Sequence, residues 1–373
     1  MCVPVKASVR IIGTMKTRLH KITLAFIGAI LLSAVGETLA DSISGELFYT
    51  RFEVPANDNV RKLSYRFDGT TFTTGTPVTI GTTNGADGIA GNVENFNLLI
   101  VGGQGKVINT IDRNTGATTE TDSPVDVFHV EIVGESKFFV FGSGIPGSLV
   151  RHPILSSGAI GAGVTIPLTG DDTLITQLIT TPTGFFYTSS DPIGSFVPRF
   201  GTLSFTGDSG TPATATGATT TRFDENVLAA HGGVYDPFTD TVFIMGGNVV
   251  EQRNATTGAL ISRRSFSGGP TFDQGTVDGK GHLFVADNNL GRMLFMDYGT
   301  DPFDLSSSSN FASLQVVDPL GRLDDIAPLV GAGSTLIPLP TAVAWFVLAI
   351  PFVTGRSMSH VRRPPASLTS GQK

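Results

Sequence analysis

The chain has 373 residues, of which 45 are glycine and 21 are proline, and only 15% are charged. This composition favours many short strands joined by turns over helices, which are richer in Ala, Leu, Glu and Lys. Residues 41–335 carry 16 Lys and Arg against 31 Asp and Glu, a net charge of −15 that argues against nucleic-acid binding. The single cysteine, Cys2, precedes this segment, so no disulfide is expected within it.

The N-terminal region has the three parts of a secretory signal peptide. A basic stretch at residues 15–21 precedes a 14-residue apolar run at 22–35, and Thr-Leu-Ala at 38–40 forms a cleavage site before Asp41. The apolar run is shorter than the ~20 residues that a membrane-spanning helix needs. We therefore predict that residues 1–40 are an over-extended start plus a signal peptide, and that the mature, exported protein begins at Asp41.

Short apolar stretches separated by turn residues follow. Residues 46–54 and 60–67 alternate apolar and polar side chains with the period of strands, which predicts a hairpin. Residues 87–116 and 268–299 each show a glycine-rich first strand, an apolar second strand, a polar turn and a third strand. The stretch 268–299 is predicted to form a complete four-stranded antiparallel unit.

Six such first strands align along the chain, with centres 41, 48, 55, 43 and 50 residues apart. This spacing is typical of β-propeller blades. The last first strand has little chain after it, so the hairpin 46–67 is predicted to supply its outer strands and to close the ring. Residues 202–221, in the longest interval, are predicted to be a Thr/Gly-rich loop; a strand set hidden there would make a seventh blade. The six centres are Gly88, His129, Gln177, Gly232, Gly275 and Asp325.

The stretch at 278–292, DGKGHLFVADNNLGR, resembles one blade of an NHL or gluconolactonase-type β-propeller. The resemblance implies an all-β fold with a single propeller at residues 41–335. Together with the spacing of the first strands, it gives an expected count of six blades, with seven as the alternative. It also implies that the first strand of each blade borders a central channel.

Polar residues on the first strands are the candidate channel-lining residues. In related propellers such residues hold calcium or another divalent ion; alternatively, they satisfy one another and water around a wet channel. Two carboxylates and two imidazoles among them would suit zinc or manganese better than calcium, which prefers oxygen ligands. These four metal candidates are Asp87, His129, His231 and Asp325. The channel-lining set is Asp87, His129, Gln177, His231, Gln274 and Asp325.

The C-terminal residues 336–373 differ in character from the rest. A short Pro-Leu-Pro motif is followed by an apolar segment and by two adjacent arginines. This order resembles the VPLPA variant of the PEP-CTERM sorting signals of Gram-negative bacteria. The resemblance implies a hydrophobic C-terminal helix, transient contact with the inner membrane and an exosortase-type sorting enzyme; a permanent membrane anchor is the alternative. The matching residues are Pro338, Leu339, Pro340, Trp345, Arg362 and Arg363.

These features predict an exported surface or extracellular-matrix propeller that acts as a non-catalytic binding or scaffold module for an extracellular ligand. The alternative is a metal-dependent lactonase- or lyase-like enzyme with its site in the central channel. The expected cofactor is accordingly either none or one divalent metal, and no catalytic residue is predicted.

Overall fold

The structure is a computed structural model, and the residues that it describes belong to one compact unit, Met1–Ile337. The predicted signal peptide, the C-terminal helix and the sorting-motif residues lie outside the described residues. The described residues are 42–328 without 52–58, 93, 135–137, 143–145, 191–196, 208–211, 224–226, 300–304, 308–309 and 320–321.

The described chain is almost entirely β-structure, with one short 3-10 helix at Pro212–Thr214. Within these residues no helix has the length and apolar character needed to cross a membrane. The strands are β1 Ile43–Arg51, β2 Val60–Phe67, β3 Phe72–Thr74, β4 Val78–Gly81, β5 Ala86–Gly91, β6 Leu98–Gly103, β7 Val107–Asp112, β8 Thr118–Asp122, β9 Glu131–Gly134, β10 Phe138–Gly142, β11 Ser148–Pro153, β12 Val164–Gly170, β13 Gln177–Thr181, β14 Gly184–Ser190, β15 Pro198–Thr206, β16 Gly217–Arg222, β17 Gly232–Asp236, β18 Thr241–Gly246, β19 Val249–Asn254, β20 Leu260–Ser265, β21 Phe272–Val277, β22 His282–Asp287, β23 Arg292–Asp297, β24 Phe311–Val316 and β25 Leu323–Pro328.

Hydrogen bonds join these strands into five sheets arranged like the blades of a propeller. Three sheets are four-stranded meanders, β5–β8, β17–β20 and β21–β24, and a fourth has the order β25-β1-β2-β3 with β4 also paired to β2. The fifth is eight-stranded, in the order β13-β14-β15-β16-β12-β11-β10-β9. The all-β, propeller-like prediction is confirmed. The count of six blades is not supported, because parallel pairing of β12 with β16 merges eight strands into one sheet.

The ring is closed by strands from opposite ends of the described chain. Strand β1 pairs antiparallel with β2 and also with β25, with Phe48 opposite Ala327. The N-terminal hairpin therefore supplies the outer strands of the sheet that begins at β25, as the sequence predicted. This pairing covers the edge of β25 that would otherwise lie open.

Two local predictions were wrong. The stretch 268–299 holds only three strands, because the fourth strand of that sheet is β24, which begins at Phe311. The predicted loop at 202–221 instead contains most of β15 and β16, which pair along six residues. Leu203 and Phe205 are buried while Ser204 and Thr206 are exposed. Threonine is β-branched and suits such a half-buried strand, so its abundance there indicated sheet rather than loop.

Aromatic side chains pack the closing sheet against the sheet β21–β24. Phe67 and Phe72 of the closing sheet are buried against Phe284 and Phe295. The rings of Phe72 and Phe295 stack with centroids 4.1 Å apart, and the Phe67 and Phe295 centroids are 4.9 Å apart. Aromatic pairs at these distances stabilise the contact beyond simple burial.

A buried histidine lies between two other parts of the chain. Nδ1 of His152, in β11, lies 2.9 Å from the Gly161 carbonyl oxygen, and Nε2 lies 3.2 Å from the Ser123 hydroxyl. Burial lowers the pKa of His152, and the bond to the Gly161 carbonyl only partly opposes this. The imidazole is therefore neutral in the folded protein under conditions in which it would be protonated in the unfolded chain.

We expect His152 to make folding pH-dependent. In the unfolded chain an ordinary histidine protonates near pH 6.5, so the free energy of unfolding should fall as the pH drops below about 6.5. A His152→Gln variant should show a smaller fall between pH 7.5 and pH 5 than the wild type, whatever its stability at pH 7.5. The measurement is urea unfolding at each pH. Identical pH slopes in the two proteins would contradict this assignment.

Candidate metal centre

The six predicted channel-lining residues lie on, or just before, strands that face the ring axis. His129 precedes β9 by two residues and His231 precedes β17 by one. Gln177 is the first residue of β13. The remaining three, Asp87, Gln274 and Asp325, lie within β5, β21 and β25.

Glycines let these strands approach one another closely. The Gly88 N–H donates to the Phe128 carbonyl oxygen at 2.7 Å. A Cβ atom on Gly88 would lie only 2.6 Å from the backbone nitrogen of Val130, and one on Gly232 would collide with the Asp273 carbonyl oxygen. Only glycine fits such a gap between backbones. The side chains that flank these glycines are thereby brought together.

Three of the four predicted metal ligands place their donor atoms close together. Donor atoms of Asp87, His129 and Asp325 all lie within 4.8 Å of one another. Nδ1 of His129 is 3.7 Å from Oδ2 of Asp325. The three residues are only 7%, 8% and 2% exposed. Two carboxylates and one imidazole form a donor set that suits zinc or manganese.

The fourth proposed ligand, His231, is instead paired with a carboxylate that the sequence reading missed. Its Nδ1 lies 2.5 Å from Oδ1 of Asp273. Burial opposes protonation of His231, but the Asp273 carboxylate outweighs it and raises the His231 pKa to about 9. Burial alone would raise the pKa of Asp273, but the charge and hydrogen bond of His231 outweigh burial and hold this pKa below its usual range. The His231 ring stands edge-on to that of His129, with centroids 5.9 Å apart.

A fourth carboxyl group, Asp324, completes what we call the channel cluster. The side-chain amide of Asn288 donates to Asp273 at 2.7 Å and to Asp324 at 2.9 Å. One oxygen of Asp324 and one of Asp325 are buried without a hydrogen-bond partner. Buried oxygens of this kind are rare and are often explained by an ion or a water molecule. The channel cluster comprises Asp87, His129, His231, Asp273, Asp324 and Asp325.

The cluster holds more carboxyl groups than cationic partners. Burial raises the pKa of Asp87 to about 8, although His129 opposes it. Burial and neighbouring carboxylates raise the pKa values of Asp324 and Asp325 well above their usual range. Burial also lowers the pKa of His129 to about 4, although the nearby Asp87 carboxylate acts to raise it. His231 is thus the one protonated imidazole of the cluster at neutral pH, and a divalent cation could replace the protons on the remaining acids.

A small cavity adjoins the cluster along the channel. Its volume is about 30 Å³, and its lining includes Gln177, Gln274, Val130, Gly233 and Ile326. The Gln274 amide contacts Nδ1 of His129, which links the cavity to the cluster. Oε1 of Gln177 is buried without a hydrogen-bond partner. The cavity has room for about two water molecules.

A β-bulge accompanies the carboxylates on each strand that carries them. Each of the three strands has one residue more than its partner strand at that point. Such a bulge interrupts the alternation of side chains and re-aims them, so neighbouring residues such as Asp324 and Asp325 can both enter one cluster. The extra residue falls within 86–89 of β5 opposite β6, within 272–275 of β21 opposite β22, and within 323–326 of β25 opposite β1.

No protein-family model matches the chain, and no curated protein matches it in sequence. Among solved structures, the chain is similar to one from the mitotic checkpoint complex, with 11% identity, 65% of this chain and 80% of that chain covered, and a TM-score of 0.42. It is also similar to Sqt1 from Saccharomyces cerevisiae, with 12% identity, 63% and 64% covered, and a TM-score of 0.38. It is also similar to a protein of unknown function from Bacteroides caccae, with 9% identity, 77% of this chain and 100% of that chain covered, and a TM-score of 0.47. Identities this low assign no function or site to this chain.

We expect Asn288 to stabilise the cluster. An Asn288→Ala variant leaves one oxygen each of Asp273 and Asp324 without its donor, which should lower the free energy of unfolding by about 1–3 kcal/mol. Asn289→Ala is the matched control, because that neighbouring side chain is exposed. Urea unfolding measures both variants. Equal stability of the two would show that the Asn288 amide contributes nothing to the cluster.

Proposed function

We propose that the protein is an exported surface or extracellular-matrix propeller, and that it acts as a non-catalytic binding or scaffold module with one divalent cation in the channel cluster. The observation that carries this proposal is that the donor atoms of Asp87, His129 and Asp325 lie close together in a buried position, near a cavity of about 30 Å³. Sites for organic ligands usually measure about 300–1,000 Å³. The cavity thus has room for water molecules beside the ion but not for an organic ligand, and an extracellular ligand would bind at the loops.

We further propose that the ring works as six units of the NHL or gluconolactonase-like type. The eight-stranded sheet divides into two antiparallel sets, β9–β12 and β13–β16, which are joined by only three residue pairs between β12 and β16. With this division, each of six inner strands either contains one of the predicted channel residues or begins within two residues after it. The three bulges and the cavity are features of this common inner layer.

One observation favours a second candidate function, a metal-dependent lactonase- or lyase-like enzyme. The His231 side chain is 38% exposed although its partner Asp273 is buried. The cluster therefore has one side that solvent reaches. A cation there could polarise a substrate carbonyl oxygen, and His231 would be the residue placed to contact that substrate.

The cation site can be tested by elemental analysis and thermal melting of protein purified without chelator. We expect one equivalent of zinc or manganese, and a rise in Tm of roughly 5–10 °C at a cation concentration about 100 times Kd. Asp87→Asn and His129→Gln should each weaken binding by about 100-fold or more. Asp122→Asn, which changes an exposed carboxylate, is the control. Sub-stoichiometric metal and a Tm that ignores zinc, manganese and calcium would reject the site.

The same proteins separate the two candidate functions. Hydrolysis of a panel of lactones by the metal-loaded protein, lost in His231→Gln while the metal content is kept, would favour the enzyme. No turnover above that of the free metal would favour the binding module.

We propose three segments for the whole chain: residues 1–40 as a removed start, 41–335 as the propeller, and 336–373 as the sorting tail. The support is the signal-peptide pattern and the resemblance of Pro338-Leu-Pro340 and the arginine pair to exosortase signals. On this proposal the partners are the inner membrane, transiently, and an exosortase-type enzyme. A permanent anchor is the competing role of the tail.

Tail processing can be followed by mass spectrometry in a host that has an exosortase. The wild-type protein should begin at Asp41 and lose the peptide that contains Trp345. A Pro338→Ala, Pro340→Ala double variant should keep that peptide, because the enzyme would no longer recognise the motif. If both proteins retain the Trp345 peptide equally, the tail is an anchor and the sorting proposal fails.

A further inference from the structure

Strand β25 has an exceptional position in the ring. It pairs with β1, and the residue pair Phe48 and Ala327 joins positions far apart in the chain. The other two strands that carry cluster carboxylates, β5 and β21, each begin a sheet whose strands follow consecutively in sequence. Because its partner comes from the other end of the described chain, β25 can leave the ring without unravelling a meander.

Strand β25 also contributes two of the four carboxyl groups of the cluster, whereas β5 and β21 contribute one each. Asp324 and Asp325 are both buried, and each has one oxygen without a hydrogen-bond partner. Their nearest acidic neighbours, Asp87 and Asp273, come from two other sheets. His231 compensates Asp273, so the two aspartates of β25 lack a full cationic counterpart among the described residues. Without a cation, each of these side chains stays neutral only while it carries a proton, and any that ionises becomes a costly buried charge.

The chain just before β25 is held by a separate ionic contact. Asp318 accepts hydrogen bonds from the Tyr49 hydroxyl and from Arg61, each at 2.8 Å. Nε of Arg51 lies 3.6 Å from the same carboxylate. These partners belong to β1 and β2, so the closing sheet retains the chain at Asp318 even when β25 is displaced. Movement of β25 would therefore begin after this point.

We propose that the cation in the channel cluster is the clasp that keeps β25 docked and the ring closed. The proposal rests on the proposed cation site. Bound between Asp325 of β25, Asp87 of β5 and His129, the ion connects the closing strand to two other sheets. Its removal leaves the two aspartates of β25 facing other acids, and β25 opens locally while the Asp318 contact and the remaining sheets persist. Opening uncovers the edge of β1.

Hydrogen exchange of the full-length protein, measured by mass spectrometry with chelator and with added zinc or manganese, tests the clasp. With chelator, the amides of residues 323–327 in β25 should exchange at least about 10-fold faster than those of 232–246 in β17 and β18, because β25 opens locally; Pro328 has no amide hydrogen. With the cation at about 100 times Kd, openings that release it are suppressed by roughly 100-fold, so the two segments should become similarly protected.

Two variants sharpen this result. Asp324→Asn with Asp325→Asn removes the charge on β25, and its exchange at 323–327 should no longer respond to the cation. Asp122→Asn, on the exposed face of β8, should respond as the wild type does. If the double variant does not fold, the wild-type comparison alone decides.

The outcomes separate the two proposals. Absence of bound metal by elemental analysis rejects the cation site, and the clasp with it. Bound metal with residues 323–327 already as protected as 232–246 in chelator, or unchanged by the cation, rejects the clasp alone.

Discussion

Four buried carboxyl groups next to one another at the ring axis are the constraint on which the rest of this structure depends. Isolated carboxylates would not remain charged there, because burial and mutual repulsion both favour the protonated form. The Asp273–His231 pair relieves part of this strain, and the Asn288 amide satisfies two oxygens. The remaining acids must carry protons or share a cation. The stability of the ring therefore depends on how the charge of these four carboxyl groups is neutralised.

The fold was largely predictable because it follows from short-range patterns. The alternation in β2, Val60–Phe67, and the regular recurrence of glycine-rich first strands identified both the strands and the closing hairpin. The Thr-rich β15 and β16 were missed because β-branched residues were read as loop formers. The merging of eight strands through β12 and β16 was not predictable, since that contact pairs residues about 50 positions apart in the chain and no local pattern specifies the pairing.

The candidate site was only half predictable, for a different reason. Asp87, His129 and Asp325 were found because equivalent positions of repeated strands must converge on one axis. Asp273 and Asp324 were missed because an ideal strand sends neighbouring side chains to opposite faces, so only one residue of each adjacent pair was expected in the channel. The bulges in β21 and β25 interrupt this alternation, so both neighbouring side chains can face the channel. A bulge depends on the pairing of two strands and cannot be read from one of them.

The parallel pair of β12 and β16 affects which outer strand edges of the sheets are left unpaired. Among the strands that the structure describes, the outermost strands of the three meanders, β8, β20 and β24, are paired on one side only, whereas β12 and β16 pair with each other along three residue pairs. Strand β8 carries Glu120 and Asp122, and β20 carries Arg263 and Arg264, which discourage addition of a foreign strand. Strand β24, FASLQV, has no such charge. Of the three outer strands β8, β20 and β24, only β24 therefore has no charged side chain that would disfavour pairing with a foreign strand, whereas β12 and β16 protect each other by pairing.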